Sequence, residues 1–277
     1  MNSTPSTAPS PQGRTRAQSR TASQARATSE AGTSTQTRPL SPPSALSPQP
    51  ATLPPPPATT APDALTGVRA FQRHTAPLLR PELARLAREG QSPSQLFITC
   101  ADSRVVPNVI TSSGPGELFT VRNIGNLVPP TTDDSVFAAV EYAVDVLEVR
   151  DITVCGHSGC GAMQSLLHGA HRRDGLAGTP LTRWLRHGQD SLHRVRHAPA
   201  RFYGRAASTD PLERLCLTNV VQQLDNLRAH PSVARKAEAG LIRLTGLYFE
   251  LATAQTYWWS PAGRGFLPVR PRVGTAA

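Results

Sequence analysis

Lysine is almost missing from this sequence: Lys236 is the only one, so nearly all of the 29 basic residues are arginine. Set against 19 acidic residues, they leave a formal net charge of +10. A basic chain can mean a nucleic-acid partner, but aromatics are scarce too, at 5% of the residues. The arginines are scattered through the N-terminal stretch and residues 172–205, without the interleaved aromatics that stack on bases. No nucleic-acid partner is expected. No run of about 18 apolar residues occurs, so neither a transmembrane helix nor a membrane partner is expected. The N-terminus lacks the apolar stretch of a secretory signal, which makes the cytoplasm the expected compartment. Cysteine is sparse: Cys100, Cys155, Cys160 and Cys216. In a reducing compartment such thiols are buried or metal-bound rather than paired.

The stretch from Met1 to Pro62 lacks the means to build a core. It holds 13 of the 27 prolines, many Ser and Thr, and only Leu40, Leu46 and Leu53 as large aliphatics. Apolar surface on that scale does not offset the entropy of ordering, so residues 1–62 read as a disordered Pro/Ser/Thr-rich tail. Pro54 to Pro57 close it as a stiff spacer. Residues 63–277 have ordinary core composition and read as one domain.

Within that domain a helical pattern runs from Ala64 to about Arg73, and Pro81 suits the first turn of a second helix, Glu82 to Arg88, stopped by Gly90. Leu96 to Cys100 and Asp151 to Cys155 are short apolar runs and read as buried strands; Glu117 to Val121 reads as another. Asp133, Asp134 and Ser135 offer capping and first-turn groups for a helix whose apolar positions are Val136, Val140, Val144 and Leu147. Gly156 to Gly161 turns the chain into a helix over 162–168. Helices and loops are expected through 168–215, anchored by Trp184 and Leu185, then helices over 215–227 and 233–239 and a late strand over 241–251. This order predicts an α/β fold with a mainly parallel central sheet flanked by helices. In such sheets, sites form at the carboxyl ends of strands.

Cys100 and His157 both stand at such ends. Cys100-Ala101-Asp102-Ser103-Arg104 is one element, and His157-Ser158-Gly159-Cys160 is the other. Zinc prefers thiolate and imidazole donors, and a His and Cys three apart across a turn can face one ion. With Cys100 they make three protein ligands, leaving a fourth position for water as in catalytic sites. Cys155 lies inside an apolar strand and Cys216 on a helix face; both belong to the core. Asp102 is within reach of the same ion. It is either a fourth ligand in a closed state or the acceptor of a hydrogen bond from bound water. Arg104 decides between these, because a bidentate guanidinium pair pulls the carboxylate off the metal and keeps it ionised.

These residues resemble the β-class carbonic anhydrase family. Beyond C-x-D-x-R and H-x-x-C, the run Gly116-Glu117-Leu118-Phe119-Thr120-Val121-Arg122-Asn123 is similar to the family's G-E-x-F-x-x-R-N segment, and Glu141-Tyr142-Ala143 to its E-Y-A helix. The resemblance implies reversible hydration of CO2 to bicarbonate and a proton, with one Zn2+ per subunit. It implies a homodimer or tetramer with a small apolar pocket shared between two subunits. By position, Gln91, Phe119, Ile124 and Tyr142 stand where the family has its pocket residues. The same chemistry would serve the linear molecules COS and CS2. Some relatives carry a regulatory bicarbonate site made of Trp, Arg and Tyr; here Phe97 and Phe249 stand in place of the Trp and Tyr, and Arg122 alone remains.

Overall fold

The computed structural model describes residues 63–130, 134–169, 178–203 and 208–271. The tail assigned to residues 1–62 and the capping role given to Asp133 lie outside the described residues.

Six strands form one sheet in the order β2-β1-β3-β4-β5-β6. β1 (Gln95–Cys100), β2 (Leu118–Asn123), β3 (Asp151–His157) and β4 (Arg243–Glu250) are parallel; β5 (Gln255–Ser260) and β6 (Gly265–Pro268) add on antiparallel. The expected mainly parallel α/β sheet is present. Leu96, Phe97, Ile98 and Thr99 are buried in succession, as in a strand covered on both faces. β3 follows suit from Ile152 to His157. The two antiparallel strands were not anticipated. Their sequences, Gln255 to Ser260 and Gly265 to Pro268, are short, and a turn rather than a helix joins them.

Helices begin where the chain supplies caps. α6 (Pro180–Leu185), α8 (Pro211–Arg228) and α9 (Pro231–Glu238) each start on a proline at the first turn. In α8 the Asp210 carboxylate accepts from Leu212 N at 2.9 Å. α8 lies against β3 and β4, and glycine lets it approach: a Cβ on Gly156 would fall 2.6 Å from Val220 Cγ2. One face of α8 is polar although buried. Asn219 donates to Gly125 O, Gln223 accepts from Val128 N, and Asn226 donates to Val128 O, so the helix fixes the loop after β2.

The N-terminal helices correct one expectation. α1 (Ala64–Ala70), a π-helical turn (Phe71–Thr75) and α2 (Ala76–Glu89) form an unbroken helical run, with Pro81 inside α2 rather than starting a helix. Proline removes a helix hydrogen bond, but no residue of α2 is buried, so the freed carbonyl of Pro77 can be hydrated. Gly90 ends the helix at φ 82°, as expected. α3 (Pro107–Thr111) follows β1. α4 (Asp134–Glu141) passes into a π-helical turn (Tyr142–Val146), with Val136, Val140 and Val144 buried. α5 (Gly161–Leu167) follows β3, and α7 (Gln189–His197) precedes α8. Among the described residues, no helix is long and apolar enough to cross a membrane.

Candidate metal centre

β1 and β3 are neighbours, with Thr99 opposite Cys155. Their carboxyl ends therefore open at the same edge, where Cys100 closes β1 and His157 closes β3. Gly159 turns the chain back at φ 63°, a left-handed conformation that suits glycine. Cys160 then caps α5. Ser158 pins this turn to β4: its Oγ accepts from Leu251 N at 2.9 Å.

The result is a buried cluster. One ligand atom from each of Cys100, His157 and Cys160 lies within 4.8 Å of the others, and all three residues are buried. His157 Nδ1 faces Ser158 O at 2.9 Å, so that nitrogen carries the hydrogen and Nε2 presents its lone pair. Nε2 is buried without a hydrogen-bond partner, a costly state for a polar atom unless an ion takes the lone pair. The Cys100 thiol is held well below the usual range, chiefly because Cys160 donates to its sulfur. Cys160 is pushed up in turn by keeping that proton and by burial. A donor set of two sulfurs and one imidazole fits zinc or another borderline-soft divalent ion.

Asp102 stands beside this cluster, its Oδ2 3.8 Å from His157 Nε2. Arg104 grips it with both ends of the guanidinium, Nη2 to Oδ2 at 2.7 Å and Nε to Oδ1 at 2.9 Å, a bidentate pair. Hydrogen bonding from Arg104 holds the Asp102 carboxyl far below the usual carboxylate range. Arg104 Nη2 also reaches Gly159 O at 3.3 Å, which ties Asp102 to the His157–Cys160 turn. Arg122 braces the same segment from below, donating to the carbonyls of Cys100, Asp102 and Val105. That accounts for its guanidinium without a bound anion.

Cys100, Asp102, Ile124, Ala162, Leu181 and Leu185 line a cavity of about 410 Å³ at the cluster. Leu181 escaped the sequence reading; Leu185 was recognised only as an anchor. Beyond Ile124 a second cavity of about 400 Å³ is bordered by Val121, Val136 and Trp184. A larger, more polar cavity of about 470 Å³ lies between α2 and Gly116, where Arg85 pairs with Glu82 and Glu89; it contains none of the metal-ligating side chains.

Of the four pocket residues expected by position, this chain brings only Ile124 to the cluster. Phe119 pairs in register with Leu96, most of the length of β1 away from Cys100. Tyr142 packs on Phe119 with ring centroids 5.8 Å apart, and Gln91 is exposed ahead of β1. Phe119 and Tyr142 thus lie together toward the opposite end of β1. Also missed was the loop over 123–128 with its anchors on α8. The signal was Asn219, Gln223 and Asn226, polar residues at helical spacing within an apolar helix.

The sequence pattern of the family described as carbonic anhydrase matches residues 95–256. The chain is 40% identical to a carbonic anhydrase of Pseudomonas aeruginosa over 207 residues, 73% of this chain and 89% of that one. It is 38% identical to carbonic anhydrase 1 of Escherichia coli O157:H7, over 76% of this chain and 93% of that one. Among solved structures, the β-carbonic anhydrase CcaA superposes with a TM-score of 0.67 at 32% identity, covering 76% of this chain and 92% of that one. Tetrameric β-carbonic anhydrases from the ascomycete Sordaria macrospora give a TM-score of 0.57 at 31% identity, covering 70% and 94%.

Proposed function

We propose, since this chain belongs to the β-carbonic anhydrase family, that it converts CO2 and water reversibly to bicarbonate and a proton. The observation that carries this reading is the clamped Asp102 beside a buried Cys-His-Cys donor set. Cys100, His157 and Cys160 would hold one zinc per subunit, and zinc supplies a water that ionises near neutral pH. Asp102, kept ionised by Arg104, accepts a hydrogen bond from the attacking oxygen and turns its lone pair toward the carbon of CO2. Ile124, Leu181 and Leu185 give an uncharged substrate an apolar wall. The proton leaves through the open side of the cavity to solvent.

Gln91, Phe119 and Tyr142 serve the pocket of a second copy, with Gln91 donating to a substrate oxygen. Two features support a homodimer or tetramer. Phe119 and Tyr142 pack together away from their own metal cluster, and the α1–α2 run exposes Leu65, Val68 and Leu78 with no residue of either helix buried. Residues 63–277 form the catalytic domain in this reading, and residues 1–62 a tail outside it. The cytoplasm suits four cysteines that are all free.

The test is stopped-flow CO2 hydration before and after chelation, with Asp102→Asn alongside. Asparagine keeps the shape and loses the charge, so metal content should persist while turnover falls about 10²-fold or more. Undiminished turnover after chelation, or in Asp102→Asn, would overturn the mechanism.

A further inference from the structure

The peptide group joining Ile124 to Gly125 is bonded on both of its sides. Its carbonyl, Ile124 O, accepts from the Trp184 indole Nε1–H at 2.8 Å. Its N–H, that of Gly125, donates to Cys100 Sγ at 3.4 Å. Trp184 therefore reaches the cluster sulfur through a single peptide plane, without touching the sulfur or the cavity beside it.

The surroundings fix this plane closely. Gly125 has φ 84°, and a Cβ there would fall 2.9 Å from Ala162 Cβ. The position therefore takes glycine and has no room to shift. The next carbonyl, Gly125 O, accepts from Asn219 Nδ2 at 3.0 Å. The indole is held as well. Thr179 caps the short α6, Leu185 beside it is buried, and the His187 ring meets Trp184 edge-on with centroids 5.3 Å apart.

We propose that Trp184 is a positioning residue for the metal centre: by bonding Ile124 O it orients and polarises the Gly125 N–H, and so sets how much charge the Cys100 sulfur can give to a bound metal. Hydrogen bonds in series strengthen one another by about 10–30% each in condensed phase. A bond donated to a thiolate draws charge from the sulfur, and partners outside the ligand set commonly change metal affinity about 10–100-fold. The inference rests on Cys100 being a ligand.

The test uses the full-length protein loaded with Co2+, whose sulfur-to-metal charge-transfer band reports the charge on the thiolates, together with a chelator competition for Zn2+. Trp184→Phe keeps a ring and removes the N–H. It should move the band to lower energy and change zinc affinity about tenfold, while Trp258→Phe, on β5, moves neither. A band and affinity unchanged in Trp184→Phe would overturn the proposal; so would lost affinity with an unmoved band, which marks a merely structural role. Cys100→Ser separates the two levels. If it leaves the band intact, the ligand assignment itself is wrong; if it weakens the band while Trp184→Phe does not move it, only the present inference falls. Should Trp184→Phe not fold, wild-type protein loaded with 113Cd decides by NMR. A scalar correlation between the metal and the Gly125 amide proton is expected, and its absence would overturn the proposal.

Discussion

Gly156→Ala would test how tightly the helix that steadies the site is pressed against the sheet. The added Cβ falls 2.6 Å from Val220 Cγ2, while its next neighbours, Cys216 O and Asn126 Oδ1, stand at 3.6 and 3.9 Å. Carbon atoms rest at about 3.5–4.0 Å, so roughly 1 Å is missing against one methyl group alone. Val220 is fully buried, and a β-branched side chain in a helix keeps essentially one rotamer, so it cannot swing aside. The substitution should cost about 1–3 kcal/mol, the usual range for overpacking. Val220→Ala removes two methyl groups from the core and should cost about 2 kcal/mol. The double variant puts the new methyl where the old one was. It should be no less stable than Val220→Ala, giving a coupling of about −1 to −3 kcal/mol. The assay is urea unfolding of all four proteins at equal metal load and equal protein concentration, since assembly adds to apparent stability. Costs that add to within about 0.5 kcal/mol would refute the reasoning, because α8 would then be yielding elsewhere.

Cys160→Ser should weaken zinc by more than the roughly 10–100-fold typical of groups outside the ligand set; full occupancy by elemental analysis would remove Cys160 from the site. Asp145 has its carboxyl pKa lowered by the Ser232 hydroxyl and by Arg235. A depressed folded pKa contributes stability above the unfolded value and loses it as pH falls through the folded one. Asp145→Asn should therefore flatten the loss of stability below about pH 5, and an unchanged slope in acid unfolding counts against it. Leu78→Glu, at a residue 79% exposed on α2, should shift sedimentation toward smaller species if that face packs on another copy; unaltered sedimentation speaks against it.

The buried centre of this fold was legible in the sequence because parallel strands covered on both faces read as continuous apolar runs. Leu96 to Cys100 and Asp151 to Cys155 are such runs, and locating them located Cys100 and, just beyond, His157. The body of α8 was equally plain over 215–227, but its capped start at Asp210 and Pro211 was not read. The misses have a common cause in tertiary context. Pro81 signals a helix start only if the freed carbonyl has no other partner, and on an exposed helix water provides one. β5 gains its ladder from β4 and β6 from β5, and their own sequences carry little alternation. Gln91, Phe119 and Tyr142 could be aligned to a pocket, but within one chain Phe119 and Tyr142 lie toward the end of β1 away from Cys100.

The Arg122 brace has a mechanical consequence. Its guanidinium spans the carbonyls of Cys100, Asp102 and Val105, and Ala101 N donates to Asn123 O. The turn that carries a cluster sulfur and the clamped carboxylate is thus stapled along its length to β2 and has no hinge of its own. β2 is an edge strand of the sheet, and Phe119 sits near its far end. Strand and turn form one lever: a force on the outer edge moves the Asp102 backbone with it, because no loose residue lies between them to take up the strain.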